Sequence, residues 1–277
     1  MSMISKARVA QGLAVMRLEI RKHFLGRRAI LAWLLASLPV VGLAARAIAL
    51  AIFRDEQASL TVGEDVGVFA NLIFPFILRF LVFFGCAGIF SHLARGDVLD
   101  KSIHYWFLAP VRREVVVAGK YAAGLLASAV IFSVSTLASL FFLFLPHGGE
   151  AISRHYLDGP GLGHALAYVF VVWLGCIGYG AAFLAIGLRF RNPIAISVVV
   201  LGWESLSFLM PAFLKRLTMV HYLEALCPVP VSGGPFALLA DPPSAWVSIP
   251  GIVALSALLL WTAGHAIRRM DVMYGTD

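Results

Sequence analysis

The chain has 277 residues, of which 60% are hydrophobic and 13% charged, with a formal net charge of +7 and three cysteines. A soluble domain of this size could not cover itself with so few charges, and a porin-like barrel would show short alternating segments instead of long apolar runs. The composition therefore predicts an all-α integral membrane protein with no separate soluble domain.

Residues 1–28 come first and are expected to form a cytoplasmic interfacial helix. Val9, Leu13, Met16, Ile20 and Phe24 recur at steps of three and four, while Arg8, Glu19, Arg21 and Lys22 fall elsewhere. That periodicity predicts an amphipathic helix with its apolar stripe in the bilayer interface and its basic side toward headgroups. The segment is too long to be the basic leader of a cleavable signal.

Residues 29–277 then hold six apolar stretches near the ~20 residues that a helical crossing needs, at 29–53, 68–93, 115–145, 164–188, 194–213 and 246–266. The first carries Pro39, and Arg46 near its end, where a long side chain can snorkel. A short acidic loop, 54–67, separates it from the second, which places Arg79 at mid-depth. The third is rich in small hydroxyl residues, and Ser128, Ser135 and Ser139 share a face. That strip reads either as a polar pathway or as close helix packing. The fourth has Gly178/Ala182 and Ala181/Ala185 pairs, which read as packing. The fifth holds Glu204 near its centre. From Leu214 to Ala245 runs the longest connection, in which LKRLTMVHYLEAL predicts a short helix and CPVPVSGGP and ADPPSA break structure repeatedly. The apolar FALLA between those breaks predicts re-entrant segments dipping into the membrane.

Charge asymmetry sets the expected orientation. Lys and Arg crowd the leading segment, the 95–120 segment, the RFRN turn at 189–192 and the tail, whereas the opposite side keeps only Arg54, Arg154, Lys215 and Arg216. Both termini are therefore expected in the cytoplasm. The excess of positive charge then matches anionic lipid, not nucleic acid.

Arg79 and Glu204 are the two intramembrane charges. An isolated charge at mid-bilayer costs several kcal/mol, roughly, so the two are expected to approach one another or to face a wet cavity. No Walker-type phosphate loop is visible, since Gly119-Lys120 is followed by Tyr121, and neither a zinc motif nor a hydrolase elbow occurs. No catalytic, cofactor-binding or metal-ligating residue is expected, and the chain is expected not to be an enzyme.

The least apolar long segment is GDVLDKSIHYWFLAPVRREVVVAGK, residues 96–120. Asp97 is placed to cap a helix and Asp100 to favour its positive end. Leu99, Ile103, Trp106 and Phe107 line one side, Asp97, Asp100, Lys101 and His104 the other, and Pro110 ends it. The run resembles the segment between the second and third spans of ABC-2 type permeases, the membrane subunits of ATP-binding cassette exporters. An acidic start, Leu108-Ala109-Pro110, basic Arg112 and Arg113, and Gly119-Lys120 opening the third span carry the resemblance; the family more often has Glu where this chain has Asp97 and Asp100.

The resemblance implies a plasma-membrane permease, bacterial inner membrane expected, working as a homo- or heterodimer with a second permease subunit. Separate ATPase subunits would bind ATP and magnesium. Segment 97–108 would be the coupling helix, and Asp97, Asp100, Lys101, His104, Tyr105, Arg112 and Arg113 would face the ATPase. Two rival readings stay open: a channel or ion-coupled carrier without an ATPase, and an integral-membrane lipid enzyme.

Overall fold

Helices account for almost all of the described residues because apolar residues of this density can satisfy their backbone groups only within their own segment. The computed structural model describes residues 3–25, 29–53, 61–99, 112–190, 192–206, 210–229 and 243–268. Helix α1 (Met3–Leu25) leads. Helix α2 (Ala29–Ile52) follows. Helix α3 (Val62–Leu72) passes through a π-helical stretch (Ile73–Val82) straight into α4 (Phe83–Leu99). Helix α5 (Arg113–Phe144) is the longest and ends in a short 3-10 turn (Leu145–His147); α6 (Gly149–Ser153) caps that end. Helix α7 (Gly161–Arg189) returns and α8 (Pro193–Ser205) enters again. Two short helices, α9 (Ala212–Lys215) and α10 (Met219–Glu224), precede the last, α11 (Ala245–Arg268).

Five of these helices are long and apolar enough to cross a membrane: Ala29–Ile52, Val62–Leu93, Arg113–His147, Gly161–Arg189 and Ala245–Ile267. The architecture is that of an all-α, multi-pass membrane protein, with no strand among the described residues. The bundle has a basic end, where α1 lies and α2 and α5 begin, and an opposite end, where α3 begins and α5 finishes.

Helices α5 and α7 form the hub. The first packs on α1, α2 and α7, and the second on α4, α5 and α11. Flanking helices are far more open. Only 22% of the apolar window of α2 and of α11 is buried, against 61% for α7, so the two flanks present their apolar surface outward.

The hydroxyl strip of α5 serves packing. Ser128, Ser135 and Ser139 are all buried, Ser135 Oγ donates to the Ala36 carbonyl of α2, and Ser133 Oγ accepts from Trp173 Nε1 of α7 at 2.9 Å. Of the two readings open from sequence, close packing is the one these contacts support.

Two expectations are corrected. The second span begins at Val62 and not at 68, because Thr61 and Glu64 form a capping box: Thr61 accepts from the Glu64 N–H and Glu64 accepts from the Thr61 N–H. The fifth apolar stretch is a helix of 13 residues ending at Ser205, roughly 20 Å at helical rise and short of a full crossing. Helix α1 meets the bundle through a neighbouring face: Val15 and Glu19 are buried while Leu13, of the apolar stripe, is 54% exposed. Gly12, Val15 and Glu19 lie about a quarter turn from the predicted stripe, of which Met16, Ile20 and Phe24 are half-buried.

Candidate functional site

Half-way along the bundle, the end of α8 meets the π-helical stretch of the second span. A π turn carries an extra residue per turn and re-aims the side chains that follow; here the stretch contains Pro75, which lacks an N–H, and presents Arg79 toward α8. Arg79 Nη2 donates to the main-chain carbonyl of Glu204 at 2.9 Å. The two expected partners do approach within one chain, but the bond goes to the backbone. Among the described residues, Arg79 makes no ion pair with any carboxylate.

The Glu204 side chain looks the other way. It is buried, and it accepts from the N–H groups of Met219 at 2.8 Å and Val220 at 2.9 Å and from the Tyr179 hydroxyl at 3.3 Å. Met219 and Val220 open α10, so the carboxylate caps a helix with two otherwise unsatisfied donors. Thr218, one residue earlier, is the position from which a local cap would come; its hydroxyl instead donates to the Lys215 carbonyl at 2.7 Å. Glu204 thus supplies from α8 what the local sequence does not.

Helix α10 is seated deep for so short an element. Met219, Val220, Tyr222 and Leu223 are all buried. A Cβ on Gly178 of α7 would come within 2.7 Å of the Met219 sulfur, and one on Gly251 of α11 within 2.6 Å of the Tyr222 ring. Those two glycines open the notches that receive the helix. Tyr222 closes the turn before it by donating to the Arg216 carbonyl at 2.9 Å.

A second charge cluster lies at the opposite end. Asp65, 1% exposed in the first turn of α3, receives Arg46 through two bonds, Nη2 to Oδ1 at 2.6 Å and Nη1 to Oδ2 at 3.3 Å. His147 Nε2 lies 2.8 Å from Oδ2 of the same carboxylate. Arg46 therefore does not snorkel; it and His147 tie the ends of α2 and α5 to the start of α3. Beside them, the rings of Phe144, His155 and Tyr156 pack together, tilted or edge-on, into a cap. Burial and the neighbouring His164 and His147 push the His155 imidazole below its ordinary value.

The third cluster is the joint at the basic end. A Cβ on Gly119 would lie 2.9 Å from the Gly12 carbonyl oxygen and 3.0 Å from Val15, so α1 crosses α5 in direct backbone contact. One residue on, Lys120 is buried; its Nζ donates to the Leu93 carbonyl at 3.1 Å and pairs with Glu19 Oε1 at 3.7 Å. Gly119-Lys120 of the sequence motif is thus the point where α1, α4 and α5 meet. Arg113 Nη1 donates to the Ile267 carbonyl at 3.3 Å, where the cation also matches the negative end of α11.

The remaining residues expected to face an ATPase are placed only in part. Asp97 lies inside α4, which runs through Gly96 to Leu99, so it does not act as an N-cap. Arg112 is exposed and stands as the N-terminal boundary residue of α5. Asp100, Lys101, His104 and Tyr105 lie outside the described residues, as does the expected re-entrant piece at 236–240.

Sequence reasoning missed the Asp65 cluster and the capping role of Glu204. The first left a signal, Thr61-x-x-Glu64, that moves Asp65 out of a loop and into a helix. The second left none, because its donors come from backbone fifteen residues away. No family's sequence profile matches the chain, and no curated protein is detectably similar to it.

Proposed function

We propose that this chain is the membrane-spanning permease subunit of an ATP-binding cassette transporter, an exporter, whose ATP hydrolysis resides in separate subunits. The observation that carries the reading is the joint at Gly119-Lys120. In the motif 96–120 these two residues open the third span, and their contacts lock the leading helix, the end of the second span and the start of the third into one unit. A coupling segment suspended between α4 and α5 would pass its displacement into that unit, and through α5 into the hub. In this reading α8 with the segment down to α10 counts as the fifth of six crossings. The basic end faces the cytoplasm, and two permease subunits assemble with two ATPases.

An ion-coupled carrier is the rival with a specific candidate, Glu204. Its carboxylate already holds three donors, which supports a structural post more than a site that exchanges ions. A nucleotide-driven machine fits better.

Co-purification tests the choice. Affinity-tagged full-length chain from its native cells should retain an ATP-binding cassette ATPase, and the joint substitution of Asp97, Asp100 and Lys101 by alanine should lose it while the bundle still elutes as a folded species. Retention of the ATPase by that variant, or none bound by the unaltered chain, overturns the reading.

A further inference from the structure

The guanidinium of Arg79, half-way along the bundle, is left incomplete by the described residues around it. Its Nη2 has a neutral carbonyl as partner, and its Nε is buried without a hydrogen bond. Its Nη1 also bonds no protein atom but is not enclosed, so it reaches the surface of the chain. The nearest acid by sequence logic, Glu204, has turned its carboxylate to the start of α10. Glu204 and Glu224 both lie within electrostatic reach of the guanidinium, but neither carboxylate forms an ion pair with it. A full positive charge therefore sits at mid-span with two of its three nitrogens free of protein partners. Such a charge is expensive against hydrocarbon and calls for an anion.

Exposed aromatic residues neighbour it in the sequence of the same two helices. Phe76 and Phe80, on the same helix to either side of Arg79, are 37% and 45% exposed. Trp203, next to the residue whose carbonyl Arg79 holds, is 39% exposed. A cation on helices that also expose aromatic rings close by in sequence suits a molecule with one negative group and a hydrocarbon body, the rings meeting the chain and the guanidinium forming a charge-assisted, fork-shaped contact with the headgroup. An inorganic anion would gain nothing from the rings, and a neutral lipid nothing from the charge.

We infer that Arg79, flanked by Phe76, Phe80 and Trp203, is a binding site for a hydrophobic anion, an amphiphile bearing a single carboxylate, sulfonate or phosphate. The inference builds on the transport reading above by naming the class of molecule the route accepts. Two sources share this chemistry: a resident anionic phospholipid and a lighter amphiphile in transit.

The test uses full-length chain in phosphatidylcholine nanodiscs, without an ATPase, so that its outcome is independent of whether an ATPase is captured. cis-Parinaric acid and the alcohol of the same chain serve as probes at alkaline pH, read by energy transfer from tryptophan. Unaltered protein should prefer the acid by about tenfold, R79K should keep that preference, and R79Q should bind the two alike. Preference undiminished in R79Q overturns the inference. Should R79Q not fold, a diazirine-bearing fatty acid on the unaltered protein decides: labelling concentrated in 73–84 and 199–206 supports the site, and labelling spread over all outward-facing helices overturns it. Nanodiscs containing phosphatidylglycerol separate the sources. Loss of parinarate binding there assigns the site to a resident lipid, and retention assigns it to an amphiphile in transit.

Discussion

Two arginines in this bundle look alike in the sequence and are treated in opposite ways by the fold. Arg46 finds a buried carboxylate, bonds it twice, and shares it with a histidine. Arg79 comes beside an acid and receives only that residue's backbone oxygen. The difference follows from what each acid has to do. Asp65 sits in the first turn of a helix that Thr61 already caps, so its oxygens are available to the side chains around it. Glu204 must cap a helix that lacks a local cap, and the N–H groups of α10 take its oxygens first. One cluster is complete and holds three helix ends together. The other is half made, with a cation left over.

The largest effect should come from breaking the completed cluster. Arg46→Met strands Asp65, a carboxylate with 1% exposure, beside one histidine. Losing one member of such a buried pair costs about 3–5 kcal/mol, so the thermal midpoint of the purified protein in detergent should fall more than for any other single change here. Next stands Glu204→Ala, which removes the acceptor for two buried N–H groups and should cost about 2–4 kcal/mol. The exchange variant that swaps Arg79 and Glu204 should not recover it, since a guanidinium at 204 would point donors at donors; recovery would mean that the two side chains pair directly. Smallest is Arg79→Met. A cation without a carboxylate partner loses little when an apolar chain of similar length replaces it, and the midpoint should move by no more than about 1 kcal/mol in either direction. If Arg46→Met and Arg79→Met shift the midpoint equally, the contrast between the clusters is wrong.

The long helices were legible because crossing a bilayer imposes a length and a composition that a single sequence displays. The ends of α2, α5, α7 and α11 fall within a few residues of the apolar runs that predicted them. What escaped was decided by contacts between distant residues. The fifth apolar run continues to 213 in composition, yet the helix ends at Ser205, and its Glu204 carboxylate reaches backbone at 219 and 220. For α1, the flank that docks was set in part by Gly119, a residue on another helix with no side chain to signal its role. Mid-depth placement of Arg79 and Glu204 could be read from spacing alone. That their meeting would run through a carbonyl could not.

The crossing of α1 over α5 has a mechanical corollary. With Gly119 set close against the Gly12 carbonyl and Val15, and Lys120 bracing Glu19 beside them, the leading helix has little room in which to slip. Rotation or lift of one must carry the other, so the amino terminus behaves as an outrigger fixed to the central mast, and a tug on either is felt in both.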